Sequence, residues 1–245
     1  MTAIPQANSD LPVSPAAGSS DGQSRQSGRL RPARPVLTYL WLDLYRSLRE
    51  PANLFFVIAF PVAMYLVFGR LNASAGNYGP HAHGNVSASV MLAMASFSAC
   101  LGATSASAAA AVEQSAGWGR QMAVTSRGLR GYLVVKTGTA VGTAALPVVV
   151  VLAAGALTDS QMEGWVWAIS PFICLIGVLP FALWGLAAGM WLPSSASIGI
   201  ATSLVSLFAF IGNTFMPLSH TLLTISRFTP MYGATALARW PLGEG

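Results

Sequence analysis

The chain has 245 residues, 53% of them apolar and only 9% charged, with thirteen basic against eight acidic side chains and a net charge of +5. Ordinary globular proteins carry roughly 25% charged residues, so these few ionic groups cannot wet a soluble domain of this size. The pI of 9.7 comes from bases too dispersed to form the stripe that nucleic acid requires. The two cysteines, Cys100 and Cys174, are too few for a disulfide scaffold and belong to no metal or redox motif.

Residues 1–35 are rich in Ser, Pro, Gly, Gln and Ala and end in Arg25, Arg29, Arg31 and Arg34. That composition buries too little apolar surface to offset its ordering entropy, which predicts a disordered cytoplasmic tail. Its arginines can also lie against anionic lipid headgroups. Over 36–50 the pattern changes. Leu37, Leu40, Trp41, Leu44 and Leu48 recur at spacings of three and four, on one helical face, with Asp43, Arg46, Ser47 and Arg49 opposite. The stretch is too short and too charged to cross a bilayer and predicts an amphipathic helix lying in the cytoplasmic interface, ended by Pro51.

Crossing a hydrocarbon core about 30 Å thick takes roughly 20 apolar residues of helix. Five such runs follow. They cover 53–69 with Pro61; 90–112, crowded with Ala, Ser and Gly; 133–157 with Pro147; 167–191 with Pro171 and Pro180; and 197–216. From 217 to 245 the character is mixed, which predicts short helices dipping back into the outer leaflet without crossing it. Orientation follows from the bases, which gather on the cytoplasmic side. Six arginines precede the first span and Arg70 alone follows it; Arg120, Arg127, Arg130 and Lys136 follow the second, and only Asp159 and Glu163 mark 158–165. The N-terminus and the loop 113–132 are therefore expected to be cytoplasmic, and 70–86 and 158–165 external.

Several chemistries are excluded. A P-loop needs glycine directly before its lysine, and the only lysine, Lys136, follows Val135; no ATP site, catalytic residue or cofactor is expected. The spans hold essentially no ionisable group, so no proton relay is visible. His81 and His83 form an HxH pair without a third ligand nearby, and the expectation is a solvated loop with no metal. Gly138-xxx-Gly142 and Gly185-xxx-Gly189 permit close helix packing.

The informative stretch runs from Glu113 to Lys136. Gly117 and Gly119 can break the helix of the second span, and Trp118, Met122 and Val124 stand among arginines. Spacing alone supports equally a surface inserting into a partner and a charged turn that only holds topology. The order Glu113, Gly117, Arg120, Thr125, Tyr132, Lys136 resembles the signature of ABC-2 type permeases, the membrane subunits of two-component ATP-binding-cassette exporters; Ser126 stands where that family usually carries proline. Arg49-Glu50-Pro51 resembles the family's elbow before the first span. Met216-Pro217, Phe228-Thr229-Pro230, Ala238-Arg239 and Leu242-Gly243 resemble its external re-entrant segment.

The resemblance covers 36–245. It implies an all-α integral membrane protein, an ABC-2 type (type V exporter-like) helical bundle with an N-terminal amphipathic interface helix at 36–50, five transmembrane helices and an external re-entrant segment at 217–245. The implied protein is a multi-pass permease subunit of the bacterial cytoplasmic membrane. It would export a drug, lipid or polysaccharide, as in daunorubicin-resistance permeases, driven by ATP hydrolysis on a separate subunit. Implied partners are that ATPase, a second permease copy or paralogue, and membrane lipids. Glu113, Gly117, Arg120, Thr125 and Arg127 would couple the chain to the ATPase. The family's sixth span has no counterpart before Gly245, so the chain is expected to be a fragment or to lack that helix. The alternative is a membrane-embedded scaffold or immunity-type protein without transport. An ion-coupled carrier is weakened by the absence of intramembrane charge.

Overall fold

The computed structural model describes residues 38, 41, 42, 44–46, 49, 51–72, 76, 82–115, 117, 128–192, 196–215 and 220–243. All belong to the compact unit Ala33–Gly245. The expected tail at 1–35 lies outside the described residues. Three helical stretches, Val86–Gln114, Lys136–Ala156 and Gly164–Trp191, are long and apolar enough to cross a membrane. Among the described residues there is no strand, only an isolated bridge between Gly84 and Met162. These are the marks of a helical membrane protein.

The first apolar run opens as α1 (Pro51–Leu54), widens into a π turn (Phe55–Ala59) and continues as α2 (Phe60–Leu71). Pro61 explains the widening. It has no N–H for the carbonyl four residues back and its ring crowds that carbonyl; the Phe60 N–H instead reaches the Phe55 carbonyl five residues away. Phe55–Leu71, at 17 residues, spans about 25 Å.

Next come α3 (Val86–Ser115) and α4 (Gly128–Ala156). Both are longer than the expected spans 90–112 and 133–157. The expected span 167–191 is two helices, α5 (Gly164–Ile176) and α6 (Leu179–Trp191), broken at Gly177 and Val178, with Pro180 in the first turn of α6. Pro171 and Pro147 sit inside α5 and α4 without ending them. α7 (Ser197–Ile211) stops short of the expected 216, because Gly212 ends the helix and Asn213 takes a left-handed φ of 58°. Phe215 then turns into the core, its ring 5.2 Å from that of Phe97 and 6.0 Å from that of Phe60.

The bundle is organised around α3. In its membrane-length window 89% of residues are buried, against 44% for Lys136–Ala156 and 33% for Gly164–Trp191, so α3 is the axis and the others are its wall. Missing side chains bring the backbones together. A Cβ on Gly102 of α3 would meet the Thr143 carbonyl of α4, and one on Gly185 of α6 would meet the Thr104 carbonyl of α3. Facing outward are Phe172, Ile176, Leu179, Leu183 and Met190, apolar surface that water covers at a cost and that lipid or another apolar protein face covers without one.

The region expected to form the external re-entrant segment contains α8 (His220–Ser226), α9 (Pro230–Arg239) and a 3-10 turn (Trp240–Leu242). The α9 helix buries Met231, Ala234, Thr235 and Ala238. Met231 packs at Gly212, where α7 ends, Ala234 at the Gly177 break, and Leu242 at Gly84. Near its end the Arg239 Nε donates to the Ser89 carbonyl at 3.3 Å. The chain therefore climbs from the level at which α7 stops to the end of the bundle where α3 begins.

Candidate functional site

The sequence-derived site joins α3 to α4. Glu113, one of its residues, lies in the last turn of α3 and Lys136 in the lower part of α4. Their side chains form an ion pair, Nζ to Oε2 2.7 Å, with side-chain exposures of 16% for Lys136 and 32% for Glu113. Part-burial lessens screening by water and raises the cost of desolvating both charges, so the pair fixes geometry more than it adds stability. It ties the last turn of α3 to α4 about two turns in from its start at Gly128.

Beyond Glu113 the helix runs to Ser115, and Gly117 follows with φ +90°. Its N–H donates to the Gln114 carbonyl at 3.1 Å. Among the described residues no atom lies within 4 Å of where a Cβ would sit; the positive φ is itself the demand for glycine, as at many helix C-termini. Arg120, Thr125 and Arg127 lie outside the described residues. Of the five expected coupling residues, the structure places Glu113 and Gly117 at the close of α3.

A second anchor comes from the expected interface helix. Leu44 packs on Gly142 of α4, its Cδ atoms 3.1 Å from where a Cβ would stand. Trp41, Leu42 and Tyr45 are exposed. The apolar surface of this segment is thus divided: Leu44 turns to the bundle while the aromatic side chains turn outward. Arg49 folds over Tyr45, donating to its hydroxyl at 3.1 Å. Such exposed aromatics beside arginine suit a membrane interface.

At the opposite end of the bundle lies a polar cluster that sequence reasoning missed. Tyr65 of α2 is 1% exposed. Its hydroxyl bonds to Ser160 at 2.8 Å and also to Thr158. Ser87 lies 3.3 Å from Ser160, hydroxyl to hydroxyl. Asn85 ties the same turn down: its Oδ1 accepts from the Ala88 and Gln161 N–H groups and its Nδ2 donates to the Asp159 carbonyl. Arg70 pairs with Asp159 at 3.5 Å. No local signal marks these partners, since Tyr65 and Ser160 stand 95 positions apart. His83, expected in a solvated loop, is likewise engaged: its Nδ1 is 2.9 Å from Glu163 Oε1. Among the described residues no group of His, Cys, Asp or Glu could hold a metal ion.

The space between α6 and α7 forms a groove of about 700 Å³ lined by Trp184, Ala188, Trp191, Gly199, Leu204 and Leu207 among others. Trp184 is fixed by donation from its Nε1 to the Ala201 carbonyl at 3.2 Å. The lining is apolar apart from Ser203, a chemistry that suits hydrocarbon or a flat amphipathic molecule. Compared with protein-family models, curated proteins and solved structures, the chain matches none.

Proposed function

We propose that this chain is the permease subunit of an ABC-2 type exporter in a bacterial cytoplasmic membrane, with its N-terminus and its 113–132 loop in the cytoplasm. In this reading five helical passes cross the bilayer and the 217–245 segment re-enters it from outside. A separate ATP-binding-cassette ATPase supplies the energy, and a second permease copy or paralogue completes the assembly. The cargo is a drug, lipid or polysaccharide, and the apolar groove between α6 and α7 favours an amphipathic one.

The observation that carries the reading is the Glu113–Lys136 clamp at 2.7 Å on helices packed backbone to backbone through Gly102. A push on the loop would then tilt α3 and α4 as one body, and α3 touches the rest of the bundle. Arg120 is assigned to the ATPase contact by the same reading. The test is purification of the tagged chain from its native membranes, with quantification of any co-purifying P-loop ATPase. An ATPase in stoichiometric amount is expected, and Arg120→Glu should deplete it, since a misplaced interfacial charge costs about 2–5 kcal/mol. A correctly inserted chain that brings down no ATPase refutes the exporter reading.

A further inference from the structure

We propose that Arg227 receives, near the middle of the bilayer, the phosphate of an anionic amphiphile whose hydrocarbon lies against Phe228 and Ile225. The site rests on the re-entrant placement of 217–245 given above, and on neither the ATPase nor the coupling loop.

Helix lengths set the depth. The pair α5 and α6 covers 28 residues, about 42 Å at 1.5 Å per residue. A hydrocarbon core about 30 Å thick therefore leaves about 6 Å of the pair beyond it at each end. α7 begins at Ser197, across a short loop from Trp191, and its 15 residues carry the chain about 22 Å back into the bundle. From the other end, the ten residues of α9 and the three of the 3-10 turn lead up to Leu242, which packs at Gly84 where α3 begins. That climb is about 21 Å. The two paths meet at Gly212, since the Oγ1 of Thr229, the N-cap of α9, lies 3.1 Å from where a Gly212 Cβ would stand. Gly212 is then about 15 Å from either face of the core. Arg227 shares its level, because the turn is tight: the Thr229 N–H donates to the Ser226 carbonyl at 2.9 Å and the Phe228 N–H to the Ile225 carbonyl at 3.2 Å.

Arg227 is exposed at that depth, with Ile225 and Phe228 exposed beside it. Among the described residues no side chain or carbonyl pairs with its guanidinium. A guanidinium cannot shed its charge, is costly in hydrocarbon, and is too short to snorkel across half the core. No carboxylate of this chain is placed to meet it. Of the eight acidic residues, Glu113, Asp159 and Glu163 stand at the ends of the bundle, and the other five fall at or before Glu50 or at Glu244. A second copy would bring the same set at the same depths. The missing charge must come from another kind of molecule. The planar fork of donors suits phosphate, and the bare Phe228 and Ile225 suit an attached hydrocarbon, so the two halves of the site match the two halves of a phosphate-bearing amphiphile.

The experiment titrates the full chain in mild detergent with palmitoyl lysophosphatidylglycerol, with monopalmitoylglycerol, which keeps the tail but lacks the phosphate, and with inorganic phosphate, reading binding as a rise in Tm. The native chain should bind the phospholipid about ten- to a hundredfold tighter than the glyceride, the span of a hydrogen bond to a charged group. Arg227→Gln should remove that preference, Arg227→Lys should keep most of it, and Phe228→Ala should weaken both lipids alike. No preference in the native chain, or one that survives Arg227→Gln, overturns the site. Equal protection by inorganic phosphate also overturns it, in favour of a hydrated inlet open to any anion. Without lipid, Arg227→Gln should melt no lower than the native chain, since it removes an uncompensated charge; a marked drop would reveal a partner within the fold and overturn the site as well. Depth is read separately in nanodiscs, from a nitroxide on Phe228→Cys in a background lacking Cys100 and Cys174. A nitroxide at headgroup level overturns the re-entrant placement and the site with it, whereas one at the midplane without lipid preference overturns the site alone.

Discussion

Gly189→Ala tests whether the bundle is held by close backbone approach. The new methyl carbon would lie 2.5 Å from the Ala108 carbonyl oxygen and 2.7 Å from the Ala111 Cβ, where ordinary contact begins at 3.4 Å. Neither obstacle is the flexible end of a side chain, so α6 must move off α3 by roughly 0.9 Å, and a gap of 0.5–1 Å already forfeits a quarter to a half of each lost dispersion contact. Overpacking of this kind costs about 1–3 kcal/mol. Alanine also improves helix propensity by about 1 kcal/mol, which would mask part of the loss. Gly199→Ala is the proper reference: it too is helical, and among the described residues nothing lies within 4 Å of its added carbon. Propensity cancels between the two variants and leaves the seam. For a chain of this size 1 kcal/mol shifts Tm by about 2–4 °C, so Gly189→Ala should melt about 2–12 °C below Gly199→Ala in mild detergent. Equal melting temperatures would mean that α3 and α6 do not meet through this glycine, and the axial role of α3 would go with it.

Three further outcomes are expected. Tyr65→Phe removes the hydroxyl that bonds Ser160 and Thr158 and should lower stability by about 0.5–1.5 kcal/mol, measured as Tm, with insertion unchanged. Glu113→Lys and Lys136→Glu should each destabilise the protein by about 1–3 kcal/mol, while the two together recover most of the loss because the pair is re-formed with its charges exchanged; additive losses would show that the contact is idle. Single cysteines in a background lacking Cys100 and Cys174 should react with an impermeant thiol reagent in intact cells at Gln161, which is exposed, and at Ser74, but not at Ser126; the converse pattern would invert the orientation.

Hydropathy made the membrane class legible because an apolar run of twenty residues has few other uses. Where the helices end was less so. The run 167–191 reads as one span, and only Pro180, with Gly177 just before it, hints that the chain breaks there. The end of α7 at Gly212 was hidden because Thr214, Phe215 and Met216 continue the mixed apolar pattern, while the backbone has already turned at Asn213. Within the candidate site, Glu113 and Lys136 were visible as helix-end charges, but their pairing was not, since no local rule relates side chains across a loop. Leu44 shows the limit of periodicity: the spacing of three and four groups it with Trp41, yet its partner is Gly142, and an apolar face cannot announce whether protein or lipid will cover it. The Tyr65 cluster depends wholly on long-range folding, with small hydroxyl residues that look like any others in an apolar sequence.

The burial of α3 bears on how the protein is made. It is the least apolar of the three membrane-length helices and the one most enclosed by protein, with Ser87, Ser96, Ser98, Thr104 and Ser107 along it. Yet it leaves the ribosome early. Its main neighbour α6 is complete only at Trp191, about 76 residues after Ser115, which at 5–20 residues per second is about 4–15 s of synthesis. Through that interval a helix shaped to touch protein on every side has α2 and then α4 for company and bare lipid where α6 and α7 belong. Nascent chains that pause before Trp191 therefore expose a hydroxyl-lined seam inside the bilayer, the kind of surface on which insertion factors wait and membrane proteases act.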